Sequence, residues 1–105
     1  MITDQRAEQA FETLRDTVAE IGAAKAELER SEILRKRSRK RLFLAAPAGT
    51  VAEREAFAES SSEVGEADDR YIKAVQDYET LKAMREVEAI AIDVWRTEAA
   101  NRRRA

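Results

Sequence analysis

Arg35-Lys36-Arg37-Ser38-Arg39-Lys40-Arg41, with Arg30 just upstream, is the densest chemical feature of the chain. Cationic side chains at this density displace the counterions condensed on a nucleic acid, giving salt-dependent and largely sequence-independent affinity. Arg35, Lys36, Arg37, Arg39, Lys40 and Arg41 are therefore the candidate nucleic-acid-binding residues. If the run is helical and Ser38 faces the core, a step of about 100° per residue puts Arg35 and Arg41 beside the core seam. Arg37 and Arg39 then lie further round, and Lys36 and Lys40 point away. A bland alternative stands beside this one. Glu63, Glu66, Asp68 and Asp69 fall where a returning helix would face the run, and ion pairs with them would absorb part of its charge. Arg102-Arg103-Arg104 forms a second, smaller basic cluster, read as a solvated end that complements the last carbonyls of its helix and the acidic start around Asp4 and Glu8.

Other chemistry is scarce. The 105 residues include no His and no Cys, which removes a histidine base, a cysteine nucleophile, disulfides and the ordinary zinc, haem and iron–sulfur ligand sets. There is no glycine loop to cradle phosphate and no serine elbow. Asp68-Asp69 and the group Glu86, Glu88 and Asp93 have spacings common on any charged helix, and a solvated face describes them better than a magnesium site. Tyr71, Tyr78, Trp95 and Phe11 could stack on bases, but their helical spacing assigns them to a core. The expectation is a protein without catalytic residues, metal or cofactor.

The elements that must carry these residues are helices. Ala7, Phe11, Leu14, Val18, Ile21 and Leu28 recur at steps of four and three, a narrow heptad stripe of coiled-coil type set among charged helix formers. This predicts a first helix over about 3–44, capped near Thr3 and ended by a turn over 45–50 containing Pro47 and Gly49. Thr50-Val51-Ala52-Glu53 reads as a capping box for a short helix over about 51–59, and Ser60 with Glu63 repeats that spacing before a long helix over about 61–101. Residues 102–105 are left as a basic tail. The long second stripe comprises Ala67, Tyr71, Ala74, Tyr78, Leu81, Ile92 and Trp95, widened by Val64, Val75, Met84, Val87, Ile90 and Val94. No strand pattern appears.

The expected architecture is a single all-α domain, an elongated antiparallel hairpin of a long, a short and a long helix. Facing residue numbers should sum to about 105, the register set by laying Leu44 near Ser61. That places Phe11 near Trp95, Leu14 near Ile92 or Ile90, Ile21 near Met84 and Leu28 near Tyr78 or Val75. Phe11, Leu14, Val18, Ile21, Leu28, Tyr71, Tyr78, Leu81, Ile92 and Trp95 are the expected core and oligomerisation residues. Two helices sharing one seam bury little apolar surface, so self-association is expected, with a dimeric four-helix bundle favoured and the widened face of the last helix as its contact.

The formal charge of −2 conceals segregation: residues 30–41 hold seven cations against one anion, whereas residues 42–80 hold three against nine. No apolar run is long enough to cross a bilayer, and no signal-peptide core follows Met1, so a cytoplasmic protein without a membrane partner is expected.

Thr50 to Ala56, the region of Tyr71 and Tyr78, and the ending Ile92-Asp93-Val94-Trp95-Arg96-Thr97-Glu98-Ala99-Ala100-Asn101-Arg102-Arg103 together resemble a group of small helical proteins encoded by bacteriophages and prophages. The resemblance covers roughly the last half of the chain and implies a cytoplasmic phage protein, produced alongside DNA replication and recombination genes. The basic run lies outside it. Two functions follow from the sequence: nucleic-acid binding through that run, as an accessory to phage DNA metabolism, or protein binding as a scaffold or as an inhibitor of a host protein, through basic or acidic helical surfaces.

Overall fold

A computed structural model describes residues 1–104, and within them the chain is all-helical. The elements are α1 (Asp4–Asp16), α2 (Val18–Ala45), α3 (Val51–Glu59) and α4 (Ser62–Arg104). Thr3 caps α1, its hydroxyl accepting from Arg6 N at 3.0 Å, and Thr50 caps α3 by accepting from Glu53 N at 3.2 Å. The Glu53 carboxylate folds back over Gly49, whose φ is not positive: a Cβ there would lie 2.7 Å from Glu53 Oε2. Glycine thus serves close approach at this turn rather than left-handed backbone.

Three boundaries differ from the sequence reading. The first long helix is divided at Thr17, where φ −104° and ψ 6° leave the helical range. The Thr17 hydroxyl donates to the Thr13 carbonyl at 2.7 Å and accepts from Arg85, whose guanidinium also donates to the Leu14 carbonyl at 2.8 Å. In an unbroken helix that carbonyl would serve Val18 N–H, so a side chain from α4 stands in for a backbone donor. Secondly, α4 is capped by Ser61 rather than Ser60: Ser61 Oγ accepts from Glu63 N at 3.2 Å, while Ser60 Oγ closes α3 by donating to the Phe57 carbonyl. Thirdly, Arg102, Arg103 and Arg104 form the last turn of α4, where cations complement the helix dipole, rather than a tail; residue 105 lies outside the described residues.

Where the sequence suggested one domain, contacts gather into two compact units, residues 1–23 with 79–105 and residues 24–78. In the first unit the seam is made of small side chains. Ala7 and Ala10 are buried, and Ala10, Ala91 and Ile92 form a cluster against which Ile2 and Leu14 pack. Around it Arg6 pairs with Glu88 at 2.6 Å, the Ile2 amide donates to Glu98, and Trp95 Nε1 donates to Asp4 at 2.8 Å. In the second unit Ser31, Ala58, Val64 and Ala74 are buried, with Ser31 Oγ satisfied by the Leu28 carbonyl at 3.0 Å.

Of the ten residues expected in the core, only Ile92 is fully buried. Leu14, Ile21, Leu28, Tyr71, Tyr78, Leu81 and Trp95 are half-buried. Phe11 and Val18 are corrections, at 45% and 59% exposed. The seam runs through the adjacent alanines and Thr17, leaving Phe11 to one side, where its ring meets Trp95 edge-on at a centroid distance of 6.4 Å. Val18 begins α2 just past the Thr17 turn and has no such neighbour to cover it.

Candidate functional site

The basic run occupies the last three turns of α2, and the structure divides it in two. Arg39 is the most heavily engaged residue. Its guanidinium meets the Asp68 carboxylate at 2.6 and 2.5 Å and Glu59 at 2.7 and 3.3 Å, tying α2 to both α3 and α4. Arg35 adds a 3.3 Å pair to Asp68 and lies over the Tyr71 ring, 4.5 Å from its centroid; Arg41 pairs with Glu63. Arg39 therefore turns inward, contrary to the phase read from the sequence, because α3 sits beside the seam as a third neighbour. Its hydrogen bonds hold Asp68 and Glu59 below the usual carboxylate range and raise the Arg39 guanidinium in turn.

Lys36, Arg37 and Lys40 remain exposed. Lys36 makes one pair, to Glu32 a turn earlier on α2 at 3.2 Å, and among the described residues Arg37 and Lys40 make none. Of the six candidate nucleic-acid ligands, three are thus partnered across helices and three face solvent. Cations and anions are equal in number over residues 24–78, so the net field available to attract a polyanion is small.

A second surface lies in the first unit. Val87, Ile90 and Val94 are 58%, 61% and 40% exposed, and their spacing of three and four places them on one face of α4, with Met84 at its edge. Because the seam beneath uses alanines, these larger side chains are left outside it. The sequence flagged them as a widened face. It could not show that they receive no cover within the chain.

Among the described residues no group of three or more carboxylates is arranged to hold a metal ion, and no helix is long and apolar enough to cross a membrane. Compared with known proteins, the chain matches no family model, no curated protein and no solved structure.

Proposed function

We propose that this chain is a non-enzymatic helical interaction protein that works as a homodimer, paired through the outer face of α4 around Val87, Ile90 and Val94. The exposure of these three side chains carries the reading. A standard interface takes about 800 Å² from each partner. Two α4 helices packing their Val87–Val94 faces together would remove three exposed aliphatic side chains of that unit from water, at about 25 cal/mol per Å². Sedimentation velocity of the wild type against a Val87→Glu/Ile90→Glu/Val94→Glu variant tests it: the wild type runs as a dimer and the variant as a folded monomer.

A second reading is supported by Lys36, Arg37 and Lys40, exposed cations without cross-helix carboxylates. In it the protein binds nucleic acid in the cytoplasm, as an accessory to phage DNA replication or recombination. Reversing these three residues to Glu then abolishes salt-sensitive oligonucleotide binding while leaving helicity intact, and unchanged binding removes the site.

A further inference from the structure

A groove of about 620 Å³ lies between the end of α2 and α3. Its apolar lining is Phe43, Leu44 and Ala58, and Leu44 is 68% exposed. Lys36 and Lys40 form the α2 rim, Glu55 and Glu59 the α3 rim. The two rims are not equivalent. Glu59 is already neutralised by Arg39, whereas Lys40 has no carboxylate partner among the described residues and Lys36 has one exposed partner on its own helix.

We infer that this groove receives a short acidic peptide segment of a partner protein, with an apolar anchor side chain on Phe43 and Leu44 and its carboxylates on Lys36 and Lys40. The volume lies within the roughly 300–1,000 Å³ of ordinary ligand clefts and fits one or two large side chains. An apolar lining rewards an aliphatic or aromatic anchor, which a phosphate backbone does not supply. Charge then sets orientation: the peptide's carboxylates face α2, because Glu55 on the opposite rim repels them. The groove uses none of the residues of the α4 dimer face, so the inference stands apart from self-association.

Fluorescence anisotropy of a labelled decapeptide alternating Glu with Leu and Phe, titrated with the full chain, tests this. Its Lys-for-Glu counterpart and a single-stranded oligonucleotide of equal charge serve as the other probes. Micromolar binding of the acidic peptide alone is expected, weakened at least tenfold by Lys36→Glu/Lys40→Glu and, independently, by Leu44→Ser, with helicity unchanged in each. The Val87→Glu/Ile90→Glu/Val94→Glu variant should bind the peptide as the wild type does, which separates this result from the fate of the dimer. Absence of peptide binding overturns the inference. So does peptide binding indifferent to Leu44→Ser, or an oligonucleotide that binds more tightly than the peptide.

Discussion

Residues 1–23 with 79–105 close their helices through Ala7, Ala10 and Ala91, whereas residues 24–78 add a lattice of ion pairs centred on Arg39 to their small buried residues. The first arrangement depends on shape. Alanines on facing helices permit close approach, and Phe11, Val87, Ile90 and Val94 are left outside the seam. The second depends on charge, with Arg39, Arg35, Arg41 and Arg70 reaching Glu59, Asp68, Glu63 and Glu27. One consequence is functional. The alanine seam leaves an apolar face exposed on α4, and cross-helix ion pairs engage Arg35, Arg39 and Arg41, half of the six candidate nucleic-acid ligands.

This contrast can be broken at several points. The largest effect is expected for Ala10→Leu, which forces three extra carbons into a position that is 0% exposed; destabilisation of about 1–3 kcal/mol should appear in urea unfolding followed by circular dichroism. An effect below about 0.5 kcal/mol would mean that the seam is loosely packed. Next comes Arg85→Ala. It removes the donor to the Leu14 carbonyl and to Thr17, and a loss of about 1 kcal/mol is expected. Arg85→Lys should recover only part of it, since both bonds come from Nη1 and the shorter lysine stem does not carry its ammonium as far.

Smaller still is Arg39→Ala, at up to about 1 kcal/mol, because the pairs it removes are partly solvated. Its pH dependence is the sharper readout. Asp68 and Glu59 titrate lower when folded than their unfolded values of 3.8 and 4.5, so their pairing stabilises fully above those values. That stabilisation is lost as pH falls through the lower, folded values. The melting temperature should therefore hold down to about pH 4.5 and drop below it, and drop less in Arg39→Ala. Equal drops in both proteins would show that Arg39 does not hold these carboxylates.

Much of the fold was legible in the sequence because helix starts and stops are local. Thr3, Thr50 and Pro47 announce their boundaries by side-chain chemistry within four residues, and the four-three stripe sets an antiparallel register that brings Phe11 to Trp95. The turn at Thr17 was not legible, since threonine is an ordinary helix residue and the group that completes the turn, Arg85, lies 68 residues away. The stripe opened on Ala7, which is buried, but Ala10 and Ala91 escaped because hydrophobic periodicity weights large side chains such as Phe11 and Val18. Arg39 was misplaced because a two-helix seam offers one inward direction, and α3 creates another.

The dimer formed through α4 is the central claim, and sedimentation velocity across a hundredfold range of protein concentration tests it most directly. The wild type should sediment as a dimer at micromolar concentration, and the Val87→Glu/Ile90→Glu/Val94→Glu variant as a monomer with undiminished helicity. A wild-type chain that stays monomeric throughout, or a variant that still dimerises, would contradict the claim.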